Sequence, residues 1–78
     1  MARVLLFGRL ADVAGWRERS SNAPTLAGLR AELGGDPLLA EALAGRGVQA
    51  AVDQTLVRGD APLTAASEVA FLPPMSGG

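Results

Sequence analysis

The stretch EVAFLPPMSGG, residues 68–78, decides how this chain is read. An apolar, strand-like run reaches Leu72, meets two prolines at once, and then closes on two glycines. Proline has no N–H to donate to a β-ladder, so Pro73 and Pro74 end the strand and hold the chain stiff and extended. The six residues after Leu72 span roughly 20 Å at about 3.1–3.3 Å per residue. Ser76, Gly77 and Gly78 are narrow and adaptable, as a backbone must be to enter a tight channel. The expectation is a domain over 1–72 carrying an extended, flexible arm over 73–78. Glycine side chains do no chemistry, so the reactive group of such an arm is the main-chain carboxylate of Gly78. That carboxyl has a pKa near 3.5 and is a poor electrophile at neutral pH. It needs activation, and the chain has no phosphate-cradling glycine loop with its lysine. A separate enzyme has to supply the activation.

Working back from the arm, SEVAFL (67–72) reads as the last strand. ARVLLFGRL (2–10) reads as the first, with Gly8 as its bounding residue. WRERS (16–20) pairs as a second strand after an Ala14-Gly15 turn. In APTLAGLRAELGG (23–35), Thr25 suits an N-cap, Leu26, Leu29 and Leu33 recur at helical spacing, and Gly34-Gly35 stop the helix. In DPLLAEALAGRG (36–47), Asp36 caps a second helix, Pro37 takes its first position, and Gly45 and Gly47 end it. VQAAVDQTLV (48–57) reads as one or two short strands with Val48, Ala50 and Val52 on one face, and Asp60 to Pro62 form a loop. This order predicts an α+β domain, a mixed sheet with helices on one face. Strand alternation then turns Val4, Leu6, Val69 and Phe71 to the helices and leaves Leu5, Phe7 and Leu72 on the open face. An exposed apolar patch of that kind marks a partner surface.

Composition narrows the function classes. At 78 residues the chain is one small domain. It has no cysteine and no histidine, so disulfides and thiolate or imidazole metal sites are excluded and the commonest general base is missing. No metal site and no bound cofactor are expected. Eight acidic residues against seven basic ones leave no electrostatic footprint for nucleic acid. The basic residues are all arginine. The apolar run Val4–Phe7 falls far short of the ~20 residues of a membrane span, and no secretory signal opens the chain, so a cytoplasmic location is expected.

The segments VLLFGRLAD, AAVDQTLV, PLT and EVAFLPPMSGG together resemble the small subunits of molybdopterin synthase, the MoaD group of sulfur carriers, along the whole chain. The resemblance implies a ubiquitin-like β-grasp fold with the first and last strands parallel and adjacent. It implies that Gly78 is adenylated by a ubiquitin-activating-like adenylyltransferase using Mg-ATP and then converted to a thiocarboxylate with sulfur from a donor protein. That sulfur attacks the cyclic pyranopterin precursor of the molybdenum cofactor inside the large subunit of the synthase, a heterotetramer. The chain is then a sulfur-donating subunit with no catalytic site of its own. On this resemblance Met75, Ser76 and Gly77 thread the channel behind Pro73 and Pro74, and Phe7 and Leu72 dock on the partner; Leu5 joins them as a partner-binding residue by its place on the same open face. Two positions depart from the pattern. Asp53 stands where Asn is common, and Ala65-Ala66-Ser67 replaces an Asp-Gly turn, which predicts a looser corner there. A thiamine-type sulfur carrier, a protein modifier joined through its terminal glycine to lysines, and a plain interaction domain are the alternatives.

Overall fold

A computed structural model of the chain describes residues 1–74. The elements are β1 (Ala2–Leu6), α1 (Arg9–Ala14), β2 (Glu18–Ser21), α2 (Leu26–Leu33), α3 (Pro37–Leu43), β3 (Gln49–Val52), β4 (Thr55–Val57) and β5 (Glu68–Leu72). The strands form one mixed sheet in the order β2-β1-β5-β3-β4. β1 and β5 are parallel neighbours, with Val4 opposite Val69 and Leu6 opposite Phe71. The other pairs are antiparallel. A parallel pair cannot be closed by a hairpin, so the chain must cross over between its two ends, and the helices lie on that path.

The helices cover one face of the sheet. Val4, Leu6, Ala50, Val69 and Phe71 from the strands pack with Leu10, Leu26, Leu29, Leu33, Leu39 and Leu43 from the helices. Phe71 is wholly buried at the centre of this core, and enclosing such a side chain is worth about 1.5–3 kcal/mol. Val48 and Val52 pack against the same cluster beside Ala50, as their alternation requires. The caps fall where the sequence places them. Thr25 Oγ1 accepts from Gly28 N at 3.0 Å. Asp36 Oδ1 accepts from Leu38 N at 3.1 Å, and Pro37 opens α3.

Between the first two strands the structure differs from the sequence reading. β1 ends at Leu6, just before the bounding Gly8, and residues 9–14 form a short helix α1 that the sequence reading lacks, with Gly15 turning the chain at its end. Gly8 sits at φ 54°, ψ −131°, which no strand adopts, and its carbonyl accepts from Ala11 N at 3.1 Å to start the helix. Burial of Leu10 and Ala11 then holds α1 on the core. The helical spacing of Leu10, Ala11 and Ala14 before Gly15 was the signal for it.

The corner at Ala65-Ala66-Ser67 is not loose. Ser67 Oγ accepts from Thr64 N at 2.8 Å, Ser67 N donates to Thr64 O at 3.0 Å, and Ala66 N donates to Thr64 Oγ1 at 3.2 Å. Ser67 is buried, so these side-chain bonds replace the ready-made geometry of an Asp-Gly pair. The loop before it is tied to the start of α2. Asp60 Oδ1 accepts from Ala27 N at 2.8 Å, and Leu26 N donates to Ala61 O at 2.8 Å.

Candidate functional site: the open sheet face and the root of the arm

The face of the sheet away from the helices is built by strand alternation. Register places Leu5 of β1, Ala70 of β5, Ala51 of β3 and Leu56 of β4 in one row across four strands. Leu56 is 57% exposed, and Leu5 and Ala70 are half-buried. The next row towards the C-terminal end of β5 holds Leu72 opposite Gln49. Phe7 extends the parallel pairing by one step, its N donating to Phe71 O at 3.2 Å. Its side chain is 45% exposed. The structure therefore brings Leu5, Phe7 and Leu72 to one apolar surface, the arrangement that alternation predicts, and adds Leu56. The sequence reading missed Leu56 because its outward position follows from the β3–β4 register, not from its own neighbours.

A polar edge borders this surface at the opposite end. Arg3 Nε meets Glu18 Oε2 and Arg3 Nη1 meets Glu68 Oε2, both at 3.1 Å. The hydrogen bond to Glu18, then the charges of Glu18 and Glu68, raise the pKa of Arg3 further above its ordinary value. These groups are open to water, which screens such pairs and leaves them little net worth for stability. Their effect is to mark where the apolar face stops.

At the other end of β5 the chain leaves the sheet through Pro73 and Pro74. Pro73 is half-buried, and both residues pack against glycines of two separate loops. Gly8, between β1 and α1, lies under Pro73. Gly47, between α3 and β3, lies under Pro74. The arm is thus held to the body over its first two residues and does not extend freely from Leu72. Beside it, Leu10, Val13, Leu38, Ala42, Val48 and Pro74 line a groove between α1 and α3. Leu38 is 66% exposed there. Sequence reasoning did not find this groove because α1 forms one of its walls. Met75, Ser76, Gly77 and Gly78, the rest of the arm singled out from the sequence, lie outside the described residues.

A mixed sheet with its first and last strands parallel at the centre, helices on one face, and the chain leaving from the central strand defines a ubiquitin-like β-grasp protein. The chain belongs to the ThiS family, which it matches over residues 4–78. It is 40% identical, over the whole of both chains, to the molybdopterin synthase sulfur carrier subunit of Escherichia coli K12. Its fold resembles the crystal structure of SAMP1 from Haloferax volcanii, with TM-score 0.78 and 26% identity over 99% of this chain and 98% of that one. The solution structure of small archaeal modifier protein 1 from Methanosarcina acetivorans shares the fold at TM-score 0.82 and 21% identity, covering 99% of this chain and 95% of that one. Among the described residues no helix is long and apolar enough to cross a membrane.

Proposed function

We propose that this chain is the sulfur carrier subunit of a molybdopterin synthase, working in the cytoplasm. The observation that carries the reading is the 40% identity over the full length of such a subunit. In support, the central strand β5 runs directly into the arm, so that the arm is rooted in the most strongly paired part of the sheet.

The chemistry begins at the Gly78 carboxylate. One of its oxygens attacks the α-phosphorus of Mg-ATP in an activating enzyme of the ubiquitin-activating-like type, and pyrophosphate leaves. The resulting acyl-adenylate is an electrophile that the bare carboxylate is not. Sulfur at the sulfide level, supplied by a donor protein, then replaces AMP at the acyl carbon and leaves a thiocarboxylate. That sulfur is the nucleophile towards the cyclic pyranopterin precursor held by the large subunit. The carrier's own residues bind and present. Leu5, Phe7, Leu56 and Leu72 offer apolar surface to the large subunit, and Pro73 to Gly77 lead the terminus into its channel.

Incubation with the activating enzyme, Mg-ATP and a sulfur donor tests the reading. The C-terminal peptide is expected to gain the mass difference between sulfur and oxygen; an unchanged mass refutes it. A second reading, conjugation to protein lysines, draws on the likeness to SAMP1 at 26% identity. High-mass species bearing the chain on an immunoblot of cell lysate favour that reading over the carrier.

A further inference from the structure

The two glycines beneath the arm have backbones and surroundings that exclude a side chain. Gly47 has φ +85°, and a β-carbon built on it would lie 2.7 Å from Pro74 Cβ and 3.5 Å from Pro74 Cα. Neither proline atom can swing aside, because both belong to the ring or the main chain. Gly8 has φ +54°, and a β-carbon there would come within 3.1 Å of Pro73 Cγ. Successive residues of the arm are therefore held against loops on two different sides, one leading into α1 and one following α3. Two stiff residues gripped at two points have a set direction, which either grip alone would not impose.

We propose that Gly8 and Gly47 form a clasp on Pro73 and Pro74 that aims the C-terminal arm, which makes them positioning residues for the enzyme that charges the terminus. The functional half of this statement rests on the carrier reading; the clasp itself does not. Placement errors of an ångström or so at a reacting group cost up to about a hundredfold in rate, so aim is a property worth building into the fold.

Gly59 provides a matched control. It has φ +81°, close to that of Gly47, and no atom lies within 4 Å of a β-carbon built on it. Gly47→Ala and Gly59→Ala therefore impose similar backbone strain, and only the first pushes on the arm. The chain has no cysteine, so Ser76→Cys carries a single nitroxide label whose relaxation effect on backbone amides reports where the arm points. The parent is expected to show enhancement on a restricted set of amides. Gly47→Ala is expected to move that pattern and Gly59→Ala to leave it in place. In urea unfolding, the loss of midpoint caused by Gly47→Ala is expected to shrink in a Pro74→Gly background, where the colliding Cβ is gone. Without the label, kcat/KM for adenylation is expected to fall roughly tenfold or more for Gly47→Ala and to hold for Gly59→Ala. An unchanged pattern in Gly47→Ala, or equal changes in both variants, overturns the clasp. If the parent is not adenylated at all, the carrier reading fails, and the label pattern and the urea coupling still decide the clasp.

Discussion

Asp53 and Glu68 hold each other through two hydrogen bonds between the β3–β4 turn and the start of β5. Asp53 N donates to Glu68 O at 2.8 Å, and Glu68 N donates to Asp53 Oδ1 at 2.9 Å. Asp53 has φ 50°, a left-handed conformation that Asp and Asn tolerate better than other side chains. An asparagine oxygen accepts the same bond, so Asn and Asp are chemically interchangeable at this position. Asp53→Asn is expected to keep stability within about 0.5 kcal/mol, and Asp53→Ala to lose about 1–2 kcal/mol, as read from urea unfolding.

Its neighbour Gln54 also has positive φ, at 69°. Two such residues between the paired Val52 and Thr55 make the two-residue hairpin turn that favours glycine at its second position. Gln54→Gly is expected to stabilise the protein by about 0.5–1 kcal/mol, since the glutamine backbone strain is removed. A fall in thermal midpoint would contradict this.

The two phenylalanines separate core from contact surface. Phe71 is fully buried, so Phe71→Ala is expected to cost about 3–5 kcal/mol. That is a large share of the 5–15 kcal/mol typical of a domain's total stability. Phe7, on the open face, is 45% exposed. Phe7→Arg is expected to leave stability within about 0.5 kcal/mol. It is also expected to weaken the complex with the large subunit by about 2 kcal/mol or more, roughly 30-fold in Kd, when measured by calorimetry. Full affinity in that variant would show that another surface makes the contact.

Deleting Gly78, or adding one residue after it, is expected to abolish sulfur loading on the terminus and to leave urea unfolding unchanged. Among the described residues the buried core cluster lies wholly within 4–71, well before Gly78. Mass spectrometry of the C-terminal peptide reads the outcome. Loading that survives the added residue would remove the main-chain acid from its proposed role.

The Thr64–Ser67 corner before β5 tests whether side-chain bonds hold that turn. Ser67 is buried and accepts from Thr64 N. Ser67→Ala leaves that donor without its acceptor and is expected to cost about 1–2 kcal/mol in urea unfolding.

Much of this architecture is local and was therefore legible in the chain. Thr25 and Asp36 cap because a short side-chain oxygen at a helix start satisfies nearby N–H groups whatever surrounds it. Val4, Leu6, Val69 and Phe71 turn inward because a strand alternates its side chains and a sheet covered on one face must bury one set. That same rule placed Leu5, Phe7 and Leu72 on the open face. By contrast, α1 escaped notice because VLLFGRL reads as apolar strand until Gly8 breaks it, and six helical residues hold only when Leu10 and Ala11 find the core.

What the residues alone determined is the order of the elements other than α1, the helix caps, the inward and outward sets of β1 and β5, and the proline stop after Leu72, since each depends on contacts between near neighbours. Tertiary structure decided what distant segments do to one another. The pairing of β1 with β5 is set by packing on a shared core, and so is the row from Leu5 to Leu56. The meeting of Gly8 with Pro73 and of Gly47 with Pro74 joins residues far apart in the chain. No local preference encodes such contacts, because they form only when the whole sheet closes and the same core is buried from both ends of the chain.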